Sequence, residues 1–160
     1  KPLTINGSGQ TGLGIPNQLG ALVNSGATAA TYPGAITLAA TSTIGGPSLI
    51  AGVNGGITLS GTISGANQIT KIGANSLTLT GAGAETIFDL QDGSLTFSGG
   101  GAQSSTSNAD FAREGTTLTL DNTSQAVSQR LGNHGLFLTG NFTRLSYWLL
   151  ETFPVLGRLG

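Results

Sequence analysis

The chain has 160 residues, and its 6 basic and 7 acidic side chains make up 8% of the sequence, against about 25% in an ordinary globular domain. It has no basic patch that could neutralise a phosphate backbone, which argues against a nucleic-acid partner. The absence of Cys excludes disulfides and thiolate metal sites.

Apolar-x-apolar triplets, most of them centred on Thr, recur along the chain and predict short strands. In a strand the two flanking residues share one face and the central residue takes the other. β-Branched Thr suits a pleated surface, and Gly, Asn and Ser fill the turns between triplets. The triplets are Leu3–Ile5, Ala21–Val23, Ile36–Leu38, Ile57–Leu59, Leu77–Leu79, Leu95–Phe97, Leu118–Leu120 and Leu136–Leu138.

The spacing of these triplets favours a solenoid over a sandwich of hairpins. Successive centres lie 15 to 23 residues apart, whereas hairpins bring turn signals about every 8 to 12 residues. Second strands such as "TISG", "ITKIG" and "TIFDL" lie between the triplets. We therefore predict an all-β, single-domain parallel β-solenoid over residues 1–140, with about seven or eight coils of about 20 residues.

The distribution of charge fits parallel stacking of such coils. No Asp, Glu, Lys or Arg occurs between Pro2 and Thr70. In stacked coils each outward residue lies on its counterpart in the next coil, where like charges would repel, so uncharged Thr, Ser and Asn are preferred. A net charge near zero also favours association between copies.

The stretch "ITKIGANSLTLTGAG" (Ile69–Gly83) resembles the core of the autotransporter-associated β-strand repeat family, a "GxLTKxGxGTLTLSGxNTYTG"-type motif. "LTINGSG" and "LTLDNTSQAVSQRLGN" (Leu118–Asn133) are similar to other parts of such proteins, while "GAETIFDLQDGSLTFSGG" departs from the usual tail. The resemblance covers Leu3 to about Gly140. It implies a secreted, right-handed parallel β-helix of the bacterial cell surface, with structural or adhesive roles and no catalytic residue to carry over.

The C-terminal segment, residues 141–160, differs in composition from the repeats. Five of the nine aromatic residues lie from Phe137 onward. Apolar residues at 145, 148, 149 and 153 have helical spacing, and Pro154 would end such a helix. Because the end coil of a solenoid exposes core and a strand edge, this segment is predicted to cap its own chain or to dock on the next subunit. Membrane-surface binding is a third interpretation, with few basic residues to support it.

A docking segment predicts a head-to-tail contact that need not close, and such contacts build filaments. Trp and Tyr are favoured anchors at interfaces. The predicted subunit-interface residues are Leu3, Ile5, Phe142, Leu145, Tyr147, Trp148, Leu149 and Phe153.

Two groups of charged residues are candidates for a catalytic or ligand-binding site. Asp89 and Asp92, with Glu85 nearby, could serve glycoside hydrolysis, bind Ca²⁺ or face a carbohydrate, but a polar turn is the favoured interpretation. The charged residues of "NADFAREG" are expected to form a solvated loop or a salt-bridged turn rather than a site. These residues are Asp110, Arg113 and Glu114.

Other motifs predict no cofactor and no metal. His134 is the only histidine and cannot build a typical zinc site. The glycine-rich "GSG" and "GGG" lack the Lys and the helix of a phosphate loop, and no G-x-S-x-G is present. Asn6, Asn122 and Asn141 stand in N-x-S/T sequons.

The sequence thus predicts a non-catalytic, self-associating subunit of a bacterial extracellular filament or surface layer, stacked end to end. The first alternative is an adhesin or passenger module that binds surface polysaccharide, and the second is a polysaccharide-active enzyme that shares the fold alone. The longest apolar cluster, "LSYWLL", is far shorter than the about 20 residues that span a bilayer. We expect a secreted or cell-surface protein, either a mature form or part of a longer array.

Overall fold

The computed structural model describes residues 1–9, 20–45, 55–83, 86–104, 109–133, 135–140 and 144–148. Within these ranges the chain is all-β, without a helix, and every strand pairing is parallel. The strands are β1 (Leu3–Gly7), β2 (Ala30–Tyr32), β3 (Ile36–Gly45), β4 (Ile57–Leu59), β5 (Ile63–Ser64), β6 (Gln68–Ile72), β7 (Ser76–Leu79), β8 (Ile87–Leu90), β9 (Ser94–Phe97), β10 (Ala109–Ala112), β11 (Thr117–Asp121), β12 (Gly135–Leu138) and β13 (Arg144–Trp148).

These strands form two open sheets. Sheet A has the order β1-β3-β6-β8-β10-β12, with β5 also paired to β3, and sheet B has the order β13-β11-β9-β7-β4-β2. Apart from β5 and β6, which both belong to sheet A, successive strands alternate between the sheets. The predicted all-β parallel class is confirmed, and the arrangement is compatible with a β-solenoid. A sandwich of hairpins would pair its strands antiparallel.

The predicted alternation of the triplets is confirmed in sheet B. Thr58, Thr78 and Thr96 are half-buried and pair with one another across β4, β7 and β9. The apolar residues on either side of each Thr are buried. The triplets do not form one series, however, because those at 3–5, 36–38 and 136–138 belong to sheet A, and the one at 21–23 contributes only a single bridge.

The core lies where the inward faces of the two sheets meet. Phe88 of sheet A packs against Phe97 of sheet B, with ring centroids 5.8 Å apart. Burying a side chain of this class stabilises a fold by about 1.5–3 kcal/mol. The buried apolar residues are Ile5, Ile36, Leu38, Ile44, Ile57, Leu59, Ile63, Ile69, Leu77, Leu79, Phe88, Leu90, Leu95, Phe97, Ala112 and Leu118.

Glycine is required by close backbone approach at two corners of sheet B, after β4 and after β7. A Cβ on Gly81 would lie 2.0 Å from the carbonyl oxygen of Gly61, and a Cβ on Gly61 would lie 2.1 Å from that of Gly34. No side chain fits at such distances. Gly61 and Gly81 therefore mark corners where one turn of the chain rests directly on the previous one.

Three expectations differ from the structure. Residues 144–148, expected in a helix, form strand β13, whose pairing with β11 continues sheet B beyond residue 140. The segment expected to form a solvated loop or a salt-bridged turn contains strand β10, and its Arg113 forms an ion pair with Asp89. Strand β2, with the sequence "ATY", was not among the predicted strands. In each case pairing with a neighbouring strand outweighs the local pattern.

The corner glycines predict a selective sensitivity to added methyl groups. We expect Gly81→Ala to lower the free energy of unfolding by about 1–3 kcal/mol, because the new Cβ would meet a backbone carbonyl that cannot move freely. Gly26→Ala is the matched control, since its Cβ would make ordinary contacts with the Asn24 side chain at 3.5 Å and the backbone nitrogen of Thr28 at 3.9 Å. Urea denaturation of both variants measures the difference, and equal stabilities would contradict the packing described here.

Candidate functional site

The ends of the two sheets are the first candidate surfaces. Among the described strands, β1 and β12 are outermost in sheet A, and β2 and β13 are outermost in sheet B. The free side of an edge strand is a template for another strand. Since all the pairings are parallel, the two edges of each sheet present strands that run in the same direction. A second copy could therefore continue the sheets without reversal.

Strand β1 is a protected edge. Ile5 is 5% exposed and belongs to the core, and Leu3 packs against it. Both predicted interface residues therefore contact the core of their own chain. Pro2 directly precedes the strand, and the register shifts between Ile5 and Gly7. Proline and irregular pairing are features that discourage the addition of another strand.

Strand β2 is a more open edge. The backbone N–H of Ala30 donates to the carbonyl of Gly56 at 2.9 Å, and that of Ser60 donates to the carbonyl of Tyr32 at 3.1 Å. Both bonds join β2 to the segment around β4. In a parallel ladder the residue between them, Thr31, directs its backbone groups to the other side. Ala30 and Thr31 are both exposed.

An open cavity of about 260 Å³ lies beside β2. The hydroxyl of Tyr32 donates to the carbonyl oxygen of Lys1 at 2.6 Å. The side-chain amide of Asn24 donates to the carbonyls of Thr28 and Gly56, at 2.8 and 3.1 Å, and so fixes the loop above the cavity. The lining is part apolar and part polar, without a charged group: Leu22, Val23, Asn24, Ser25, Ala30, Thr31, Tyr32 and Ile57.

Strand β12 exposes apolar side chains at the opposite edge of sheet A. Phe137 is 55% exposed and Leu138 is 52% exposed. Phe137 stacks on Phe111 of β10, with ring centroids 5.6 Å apart and ring planes 18° apart. Exposed apolar surface of this kind often marks a contact site. The sequence did not predict the aromatic pair, because Phe111 lies in a segment that looks like a charged loop.

Strand β13 places three of the predicted interface residues at the corresponding edge of sheet B. Leu145 pairs with Leu118, Tyr147 pairs with Leu120, and Trp148 is the last residue of the strand. The remaining members of the predicted C-terminal interface lie outside the described residues: Phe142, Leu149 and Phe153.

The outer face of sheet B carries a regular array of hydroxyl groups. One row runs through paired positions of successive strands, about 4.8 Å apart as in any sheet. Its members are Thr31, Thr58, Thr78, Thr96 and Thr119, and Ser146 takes the next paired position. A second row contains Ser76, Ser94 and Thr117. Such a surface can donate and accept hydrogen bonds but offers no charge to a ligand.

Lys71 is a fully buried cation that the sequence did not mark as a candidate site. Its ammonium donates to the carbonyls of Ile72 at 2.8 Å, Gly73 at 2.6 Å and Asp92 at 3.2 Å. Burial lowers the pKa of Lys71 from 10.5 to about 8, and the charge of Asp92 opposes that shift. The inward position of Lys71 follows from the alternation of "QITKI" around buried Ile69.

Arg130 is a second buried cation, and sequence analysis missed it. Its guanidinium donates to the carbonyls of Gly99 at 3.0 Å and Gln125 at 2.9 Å, to that of Gly101, and to the side-chain oxygen of Asn122 at 2.6 Å. Asn122 is thereby buried, so its sequon is not presented to solvent. Of the other sequon residues, Asn6 is exposed and Asn141 lies outside the described residues.

Asp89 and Arg113 form a bidentate ion pair. Arg113 Nε lies 2.9 Å from Asp89 Oδ1, and its Nη2 lies 2.7 Å from Oδ2, which also accepts from Gln91. Burial alone would raise the pKa of Asp89, but the hydrogen bonds from Arg113 and Gln91 and the charge of Arg113 outweigh it and hold that pKa below its ordinary value. The hydrogen bond and charge of Asp89 raise the pKa of Arg113.

Asp92, Asp110 and Glu114, the other candidate acids among the described residues, lie in three different surroundings. Asp92 accepts the N–H of Gly93 in its turn, as expected. Asp110, expected in a solvated loop, is fully buried in β10 and accepts the N–H of Phe88 at 2.9 Å. Glu114 is exposed. Glu85 and His134 lie outside the described residues.

No group of three or more His, Cys, Asp or Glu side chains in the described part of the chain is arranged to hold a metal ion. The described ranges also contain no helix with the length and hydropathy needed to cross a membrane. The chain matches no protein-family model, no curated protein and no solved structure.

Lys71 predicts a rise in stability at alkaline pH. Between about pH 8 and 10.5 the unfolded chain holds a proton on Lys71 that the folded chain has released, so stability increases with pH in that window. We expect a gain of up to about 3 kcal/mol in the native chain relative to Lys71→Met, which cannot titrate there. Urea denaturation of both proteins from pH 7 to 10.5 measures it. Parallel pH profiles would contradict the burial of a titrating ammonium.

Proposed function

We propose that the chain is a non-catalytic structural protein, a right-handed parallel β-solenoid whose copies stack end to end in an extracellular filament or surface layer. The observation that carries the proposal is the parallel pairing of two open sheets, each ending in edge strands of the same direction. Contacts between opposite ends of identical copies are heterologous and propagate when they do not close.

Several features support the solenoid itself. Consecutive strands alternate between two facing sheets, and crossovers between parallel strands of one sheet are right-handed in about 98% of cases. Six strands on the main path of each sheet correspond to about six coils between Leu3 and Trp148, where the sequence spacing predicts about seven or eight. The repeat-like segment Ile69–Gly83 contributes β6, β7 and the corner at Gly81.

The charge pattern supports association at the ends. No residue between Pro2 and Thr70 is charged, so Lys1 is the one charged residue in this part of the sequence, and like-charge repulsion between copies is small there. Exposed Phe137 and Leu138 supply apolar surface at the other end. We place the protein outside the bacterial cell, with residues 141–160 as the junction or capping segment, on the strength of the family resemblance.

Assembly is tested with paired lysine substitutions. Thr31→Lys with Phe137→Lys puts one charge on an edge strand of each sheet, β2 of sheet B and β12 of sheet A. Thr58→Lys with Thr119→Lys puts both charges on interior strands of sheet B, in the outer row that contains Thr31. Lysine on an edge strand discourages strand addition. We expect the native chain and the interior variant to form long particles, and the edge variant to remain monomeric, by sedimentation velocity and negative-stain microscopy.

The interior variant is the matched control for added charge and for folding, which circular dichroism checks in all three proteins. A native chain that stays monomeric at every concentration would overturn the proposal. Equal assembly of both variants would show that copies meet through a surface other than these edges.

An adhesin is a second candidate, favoured by the hydroxyl rows of sheet B. We expect Thr58→Val, Thr78→Val and Thr96→Val together to weaken binding to cellulose or chitin about a hundredfold, because each of the three lost hydrogen bonds costs about 1 kcal/mol. Thr4→Val, on an exposed position of β1, is the control. Pull-down with the insoluble polysaccharides measures binding, and retention by neither native chain nor control would set this candidate aside.

A further inference from the structure

In sheet B, the row of inward positions nearest the N-terminal ends of the strands holds a large apolar residue in β4, β7, β9 and β11 but a small residue in β2. Successive strands contribute Ile57, Leu77, Leu95 and Leu118 to this row, and Leu145 of β13 takes its last paired position. At the opposite end, β2 contributes Ala30, paired with Ile57. The row therefore ends with a leucine at the β13 edge of the sheet and with an alanine at the β2 edge.

Because the side chain of Ala30 is small, a volume beside it is unfilled. Ala30 lines the cavity of about 260 Å³ together with apolar Leu22, Val23 and Ile57. A dry cavity of about 150 Å³ can hold a benzene ring, so the volume beside Ala30 is sufficient for a leucine or an aromatic side chain. The cavity is open and lies beside β2, the outermost strand of sheet B among the described residues, where a following strand of the same sheet would enter.

We propose that the cavity beside Ala30 is a socket for the β13 edge of a second copy of this chain. This inference rests on the proposed end-to-end assembly and names its junction. In the joined sheet, β13 of one copy pairs with β2 of the next in parallel, and the position of Leu145 falls in line with Ala30. The row of large apolar residues then continues from copy to copy, with the cavity filled at each junction.

Direction and charge both select a second copy as the occupant. Strands β2 and β13 run in the same direction because they belong to one parallel sheet. From Ala21 to Tyr32 the receiving side has no charged side chain, and the exposed Lys1 lies beside Tyr32 at the end of β2. Arg144 is the only charged residue of β13. Arg144 pairs in the row of Ser94 and Thr117, so in the joined sheet it meets no like charge.

The register is tested by engineered disulfides, for which a chain without Cys gives a clean background. Thr31 and Ser146 occupy the same outer row at opposite edges of sheet B. Neighbouring parallel strands lie about 4.8 Å apart, within the Cα separation that a disulfide spans. We expect Thr31→Cys with Ser146→Cys to give a ladder of linked copies on a non-reducing gel after mild oxidation.

Thr31→Cys with Thr119→Cys is the matched control, since Thr119 lies in the same row but inside the sheet. We expect it to remain unlinked. The socket is tested separately by Ala30→Leu, which fills the cavity within its own chain, with Ala39→Leu on an exposed position of β3 as the control. We expect Ala30→Leu to raise the concentration for half-assembly about tenfold or more, and the control to leave it unchanged.

The outcomes separate this inference from the function on which it rests. Linked ladders with loss of assembly in Ala30→Leu support the junction. A native chain that assembles, but whose edge cysteines stay unlinked and whose Ala30→Leu variant assembles normally, overturns the junction and leaves self-association standing. A native chain that never assembles overturns both.

Discussion

In-register parallel pairing places each residue one strand spacing from its counterpart in the next strand, and most features of this chain follow from that constraint. A row of like residues is stable only when its members tolerate their own kind as neighbours. Apolar residues do so inside, and hydroxyl groups do so outside, as in the row from Thr31 to Thr119. The same spacing leaves no room for a Cβ at Gly61 and Gly81.

Charged residues are compatible with this constraint when each occurs once in its row. Lys71 lies between Ile44 and Leu90, so no second cation is adjacent to it. Its ammonium is satisfied by carbonyl oxygens, one of them Asp92 in the following turn. Arg130 likewise reaches back to the carbonyl of Gly99, 31 residues earlier. Both cations tie successive turns together by donating to backbone carbonyls, and Arg130 also donates to the side chain of Asn122.

The sequence predicts the parts of the fold that depend on local alternation. The triplets at Ile57, Leu77 and Leu95 identify strands, their buried faces and their parallel class. They do not reveal which sheet a strand joins, because the same pattern serves both sheets. The strand around Asp110 was missed since its charge suggests a solvated loop, whereas the buried carboxylate accepts the backbone N–H of Phe88.

The candidate junction was only partly predictable, for the same physical reason. Leu145 and Trp148 could be singled out as interface residues, but their spacing fits a helix as well as a strand, and only pairing with β11 decides between them. The cavity beside Ala30 becomes visible once the register with Ile57 is known. A row consists of residues from several strands, so a small member such as Ala30 cannot be recognised from one segment of the sequence alone.

The central claim is that this stack of rows continues from one copy to the next, and cryo-electron microscopy of native particles tests it most directly. We expect filaments in which strands repeat about every 4.8 Å along the axis, without interruption at the boundary between copies. Filaments with a gap or a change of strand direction at each boundary, or discrete particles of a single chain's length, would contradict it.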